Sequence, residues 1–298
     1  MDSGTEAGAR RNHVLDPPGR PRESAAMATK SKTANGKKGG VGETTRFLIL
    51  LFVFAVLLRT LVVTPFVIPS GSMLPRLMIG EYLFVSKWPY GFSRYSLPFM
   101  APGVEGRLLG GEPERGDVVV FRYPGSEDDW VKRLIGLPGD TIQMRGGQLI
   151  LNGKPVPKVR IADYLMERTP NSPCRYVVRQ AALPTVTENG RTYCRYARFR
   201  ETLPGGRSYE VLDQWRGEGD DTAVYTVPAG HYFMMGDNRD DSADSRYPQS
   251  REGVGFLPRD YLIGRALIVF FSTDGSASWA KPWTWFTAAR WNRIGGTF

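Results

Sequence analysis

Phe66-Val67-Ile68-Pro69-Ser70-Gly71-Ser72-Met73-Leu74-Pro75 holds two small hydroxyl residues in a turn between two prolines, directly after a long apolar run. Proline fixes φ, and glycine opens conformations that a β-carbon forbids. Such a turn can present a serine hydroxyl and leave backbone N–H groups free beside it. Those are the needs of a serine nucleophile with an oxyanion hole. An ordinary Ser/Gly/Pro loop has the same composition, so the flanking sequence on both sides has to decide between them.

The N-terminal flank is apolar. Phe47 to Leu58 is unbroken, Arg59-Thr60 interrupts, and Leu61-Val62-Val63 extends the run to Pro65. About 20 residues as a helix span roughly 30 Å, the thickness of a hydrocarbon core. A transmembrane helix is therefore expected over residues 46–64, with Arg59 snorkelling at its far end. All-round apolarity argues against a buried core helix. A cleaved signal peptide would show a small-x-small site after the run, and the sequence has none there. Residues 1–45 form a basic, apolar-poor stretch that reads as a disordered tail. A basic tail can bind nucleic acid, but the adjacent apolar run assigns its charge to membrane orientation. Lys37, Lys38 and Arg46 place the tail in the cytoplasm and the bulk of this single-pass chain outside. Met27, with Ala-Thr-Lys-Ser-Lys after it, offers a second translation start that N-terminal sequencing would test.

On the C-terminal side the pattern changes to short strands: Glu81–Lys87, Val118–Tyr123, Asp129–Gly136, Gln148–Leu151, Thr226-Val227, His231–Met235 and Leu262–Phe271. Leu137-Pro138-Gly139-Asp140 signals a turn, and Asn152-Gly153 a tight hairpin. Residues 154–226 are more polar and less regular. The expected fold is mostly β: a coiled antiparallel core from 65–153 and 227–298, with 154–226 inserted as a smaller β subdomain. Cys174 and Cys194 both fall in the insert, where one disulfide or two buried thiols are compatible with the sequence. A bond closing a loop of roughly 20 residues is worth about 3 kcal/mol.

The chain has two histidines among 298 residues. His13 lies in the tail and His231 tops a strand, so a base other than histidine is expected for Ser72. A neutral lysine can serve, provided burial or neighbouring cations lower its pKa. Lys132 sits within the apolar strand Trp130-Val131-Lys132-Arg133-Leu134-Ile135, where it can point inward while Arg133 points the other way. No metal cluster, phosphate loop or dinucleotide fingerprint is present, and no cofactor is expected.

Four blocks in order resemble the type I signal peptidases of bacteria. They are Pro69–Pro75; Arg115-Gly116-Asp117-Val118-Val119-Val120-Phe121; Lys132–Asp140; and Gly236-Asp237-Asn238-Arg239-Asp240-Asp241-Ser242-Ala243-Asp244-Ser245-Arg246. The ending Arg293-Ile294-Gly295-Gly296 also fits, so the resemblance covers about residues 45–298. It implies a membrane-anchored serine endopeptidase that removes signal peptides from secretory preproteins at small-x-small sites. Ser72 falls at the nucleophile and Lys132 at the general base. Ser70 matches the hydroxyl of the oxyanion hole, with the Ser72 N–H. Ser242 matches a serine that orients the lysine. Asp244 and Arg246 match a structural ion pair, and Arg133 has a supporting role. Substrate clefts would be lined by Phe66, Ile68, Met73, Leu77, Leu83, Trp130 and Val131. Trp130 is bulkier than that position suggests. The family's setting is the bacterial inner membrane, with the catalytic part on the outer side against the lipid bilayer.

Three other readings compete. Self-cleaving Ser-Lys repressors share related core architecture, but a DNA-binding domain is missing. Penicillin-binding enzymes need Ser-x-x-Lys, and Pro75 stands at that offset from Ser72. A membrane-anchored, non-catalytic binding or chaperone module is the alternative outside enzymes. Trp279, Trp283, Trp285, Phe286 and Trp291 suggest an interfacial aromatic segment.

Overall fold

The computed structural model describes residues 41–97, 106–176 and 182–298. Helix α1 (Val41–Leu61) opens this part, ahead of seventeen strands and a short helix α2 (Thr284–Ala288). In chain order the strands are β1 Val63–Val67, β2 Glu81–Ser86, β3 Phe92–Ser93, β4 Arg107–Leu108, β5 Val118–Arg122, β6 Asp129–Gly136, β7 Thr141–Arg145, β8 Gln148–Leu151 and β9 Lys154–Pro155. Then come β10 Lys158–Glu167, β11 Thr185–Glu188, β12 Arg191–Thr202, β13 Ser208–Leu212, β14 Tyr225–Thr226, β15 His231–Met235, β16 Phe256–Pro258 and β17 Leu262–Ser272.

The helix expected over 46–64 stops three residues early. Val63–Val67 is instead a strand, paired antiparallel with β2 from Val63↔Ser86 to Val67↔Tyr82. Pro65 explains the switch, since it cannot donate to a helix and is tolerated on the outer strand of a sheet. By length and charge, no helix among the described residues is long and apolar enough to cross a membrane. Within α1, Glu43 and Arg46 precede the apolar run and Arg59 comes after it. The uncharged stretch Phe47–Leu58 is about 18 Å long at 1.5 Å per residue. Its side chains are exposed on every side, including Phe47, Phe52, Phe54 and Leu57.

The main sheet has the order β1-β2-β17-β5-β6-β15-β16, with every neighbour antiparallel. Sequence pattern tracks position in it. β2 alternates buried and half-buried residues, whereas β5 buries Val118 to Phe121 without alternation because both of its faces are covered. Leu83, Val85, Val118, Val120, Val131, Ala266 and Val269 pack as one core cluster. β17 is bulged at three points along its two partners, and Gly264 passes so close to Ser86 that a Cβ would meet its carbonyl oxygen at 2.3 Å.

Two smaller sheets flank this one. β10, β11 and β13 all pair with β12, so the insert contributes a sheet from residues 158 to 212. The ends of the polar segment belong elsewhere: β9 and β14 complete a sheet with β8 and β7. Asn152 and Gly153 both take positive φ, the backbone of a two-residue hairpin turn between β8 and β9. Cys174 and Cys194 are disulfide-bonded. They pack with Leu74, Met78, Tyr176, Leu183 and Tyr196, which fastens the insert behind the Ser72 turn. The apolar stretch Leu97-Pro98-Phe99-Met100, expected from the sequence to form the tip of a Gly- and Pro-rich loop, lies outside the described residues from 98 on, as do residues 177–181.

Candidate active site

The Ser70–Pro75 turn leaves β1 and is held from two sides. The Ile68 N–H donates to Glu81 O at 2.8 Å, and the Asn238 N–H donates to Ser72 O at 3.0 Å. Asn238 Nδ2 also donates to Gly71 O at 3.1 Å. Gly71 does not take a positive φ, so the conformational freedom expected of it is not used. Its role is spatial, because a Cβ there would meet Leu74 Cδ1 at 3.2 Å.

The side chain of Lys132, on β6, reaches this turn. Lys132 Nζ donates to Ser72 Oγ at 2.7 Å, and both residues are buried. Burial lowers the lysine pKa to about 8, against the opposing pull of Asp244, Asp241 and Asp237. The ammonium also lies 5.2 Å from the Trp130 ring centroid, two residues back on the same face. Ser70 Oγ stands 3.4 Å from Ser72 Oγ. The Ser72 N–H donates no hydrogen bond among the described residues.

The loop after β15 closes the site from below. Arg133 faces away from Lys132 and grips Asp237 through Nε and Nη2 at 2.7 Å each, while Nη1 donates to Gly116 O at 2.7 Å. One side chain thus joins three of the four sequence blocks. Arg246 Nε and Nη2 donate to the two oxygens of Asp244 at 2.9 Å, and the Gly236 N–H donates to the same carboxylate at 3.0 Å. Burial opposes ionisation of Asp244, but Arg246 and these donors still hold its pKa below the usual carboxylate value. Ser242 Oγ is buried and has no hydrogen-bond partner among the described residues. The orienting bond from Ser242 to Lys132 that the resemblance implied is therefore not formed here.

A cleft of about 260 Å³ opens onto the serine, lined by Phe66, Pro69, Ser70, Ser72, Asp129, Trp130, Val131, Lys132, Asp241 and Ala243. Three expected lining residues, Phe66, Trp130 and Val131, are among them. Ile68, Met73, Leu77 and Leu83 are not, because they are core residues packed with Val85 and Val118 beneath the turn. Trp130 is turned against Tyr123, with ring centroids 4.2 Å apart and planes nearly parallel. Pro69, Asp129, Asp241 and Ala243 were missed, although Asp241 and Ala243 lie in a block already singled out. Also missed was the fully buried pair of Arg239 with Glu201, which ties this loop to β12 of the insert. His231 bonds the Ala229 carbonyl at the start of β15 and is not part of the cleft.

A serine hydrogen-bonded to a buried lysine thus lies at this cleft, on an antiparallel β scaffold. Sequence comparison makes the family specific. The profile of "Signal peptidase, peptidase S26" matches residues 41–271. A signal peptidase I of Rickettsia canadensis (strain McKiel) is 36% identical over 263 residues, covering 80% of this chain and 87% of that protein. One from Rickettsia typhi (strain ATCC VR-144 / Wilmington) is 37% identical over 229 residues, covering 74% and 76%. A crystal structure of a signal peptidase I from Enterococcus faecalis V583 aligns at 26% identity over 52% of this chain and 97% of that one. Its TM-score is 0.27, too low to compare overall folds. The chain belongs to the signal peptidase family, peptidase S26, and is a serine peptidase of the signal peptidase I type.

Proposed function

We propose that this peptidase removes signal peptides from secretory preproteins with Ser72 as nucleophile and Lys132 as general base. The observation that carries the reading is the 2.7 Å hydrogen bond from Lys132 Nζ to Ser72 Oγ in a buried site open to a cleft. Neutral Lys132 takes the Ser72 proton as Oγ attacks the scissile carbonyl. The oxyanion is met by the Ser72 N–H and the Ser70 hydroxyl. Lys132 then passes the proton to the leaving amine, and a water deprotonated by the lysine hydrolyses the acyl-enzyme. Phe66, Trp130, Val131 and Ala243 give the cleft apolar walls suited to the small residues of a small-x-small site.

The setting we propose is a bacterial plasma membrane, with α1 as a single anchor. Arg46 and Arg59 extend to the headgroups on either side of the apolar run. The basic residues before α1 favour a cytoplasmic tail and an outward catalytic part. Trp279, Trp283, Phe286 and Trp291 stand exposed near the chain's end and supply a second lipid contact.

Cleavage of a preprotein by the full chain in detergent micelles tests the reading, with Ser72→Ala and Lys132→Met variants beside the parent. Loss of cleavage in both, with folding retained, is expected. Cleavage by either variant refutes the dyad.

A further inference from the structure

The other face of β6 borders a second and larger cavity, of about 600 Å³. Its wall is formed by the insert, by β17 and by the segment just after the Ser72 turn. Seven arginines line it: Arg76, Arg133, Arg198, Arg200, Arg207, Arg265 and Arg293. Only Asp117 and Glu210 among the lining residues are acidic.

Partners do not balance these charges. Arg133 is committed to Asp237, and Arg293 to Glu81 at 2.6 Å. Arg207 draws on two carboxylates, Asp117 and Glu114, while Arg198 and Arg200 share Glu210. Arg76 and Arg265 form no salt bridge among the described residues; Arg76 lies over the Phe298 ring at 5.1 Å. Guanidiniums converging without a full set of carboxylates repel one another. Arg76 shows it: burial first, then Arg133 and Arg293, hold its pKa below the ordinary arginine value. A multivalent anion would relieve that repulsion. Phosphate fits best, because its several oxygens can each accept from a different guanidinium fork.

We propose that this cavity binds a phosphate-bearing anion, bridged by Arg76 and Arg265. A cavity of this size accepts a headgroup or a small phosphate ester. Two sources share the chemistry: the headgroup of an anionic phospholipid, or a soluble phosphate. The mouth favours the lipid, since Arg293 lies two residues after the exposed Trp291 and donates to the Arg76 carbonyl at 2.7 Å. The proposal stands apart from the catalytic reading, as neither bridging arginine touches Ser72 or Lys132.

The test is isothermal titration of inorganic pyrophosphate into the full chain in nonionic detergent, comparing the parent with Arg76→Gln/Arg265→Gln. The parent should give a saturable isotherm, and the double variant should bind at least about tenfold more weakly, the loss of one or two charge-assisted contacts. Equal binding by both, or no saturable binding by the parent, overturns the proposal. Retained circular dichroism and preprotein cleavage show that the variant is folded. Should it fail to fold, Arg265→Lys keeps the charge but removes the fork, and it should still weaken binding. Micelles doped with phosphatidylglycerol should compete with pyrophosphate if the ligand is a headgroup. An unchanged isotherm assigns the site to soluble phosphates. Phosphatidylcholine should not compete in either case.

Discussion

Gly236 lies so close to Ser72 that a Cβ built on it would sit 2.6 Å from the Ser72 carbonyl oxygen and 2.3 Å from Ser242 Oγ. The loop after β15 therefore sets the position of Ser72 through a glycine that touches it only by backbone. Gly236→Ala must push either Ser72 or Ser242 aside. We predict a loss of kcat of at least about 10²-fold, the cost of displacing a reacting group by roughly 1 Å. Steady-state cleavage of a preprotein checks it; a near-normal kcat would show that the turn absorbs the methyl group.

In the proposed role of general base, Lys132 must be neutral. With its pKa lowered to about 8, kcat/KM should rise with pH and level off above that value. Lys132→Arg should be inactive, as arginine stays charged. The same shift makes a stability prediction. The folded-state pKa lies below the unfolded one, so between about 8 and 10.4 the unfolded chain binds more protons, and stability rises with pH across that window. Lys132→Met should therefore be the more stable protein at neutral pH, by about 1–3 kcal/mol, with the gap closing above pH 10. Urea unfolding at two pH values measures it, and a Lys132→Met protein less stable at pH 7 would contradict the reading.

Ser70 stands 3.4 Å from the Ser72 hydroxyl and on the exposed side of the turn. In the proposed role of oxyanion donor it would matter only when charge develops. Ser70→Ala should lower kcat by about 10²–10³ and leave KM nearly unchanged. A change confined to KM would recast it as a binding residue.

Arg239 and Glu201 form a bidentate pair with both side chains essentially inaccessible. Glu201→Gln removes one charge and leaves the other buried. This should cost about 3–5 kcal/mol, whereas Arg239→Met/Glu201→Leu should recover most of it. Chemical denaturation of the three proteins distinguishes a buried charge effect from simple loss of packing, in which case the double variant would be the least stable.

Trp283 and Phe286 are 66% and 71% exposed, and Trp285 and Trp291 spend their ring N–H groups on carbonyls of their own segment. The aromatics are therefore held outward and are not filling the core. A protein starting near Pro65 should still co-sediment with vesicles, and Trp283→Ser/Phe286→Ser should reduce that fraction several-fold. If neither protein sediments, α1 is the sole anchor.

Much of this was legible in the sequence because it is local. β6 and β8 have the bounds expected from apolar runs between turn residues, and Asn152-Gly153 has the expected backbone. The Lys132–Ser72 contact was legible through four blocks whose order carries more than any one of them. What the sequence left open is non-local. Ile68, Met73, Leu77 and Leu83 have the composition of a cleft wall or of a core. Only the strands packed beneath the turn decide which. Nothing around Glu201 announces that its partner is Arg239. The end of α1 was misplaced because Val62-Val63-Thr64 suits helix and strand alike, and its pairing with β2 is what decided it.

The position of β17 bears on when the main sheet can close during synthesis. This strand, residues 262–272, lies between β2 and β5, which precede it by more than a hundred residues. Until it arrives, β2 and β5 are two open edges and the main sheet is two separate pieces. Ribosomes add roughly 5–20 residues per second, so a nascent chain spends several seconds with β2 and β5 both synthesised but without the strand that pairs with each of them. Closure of the main sheet thus waits for the latest of its strands to be translated, and until then both edges are open to pairing with another chain.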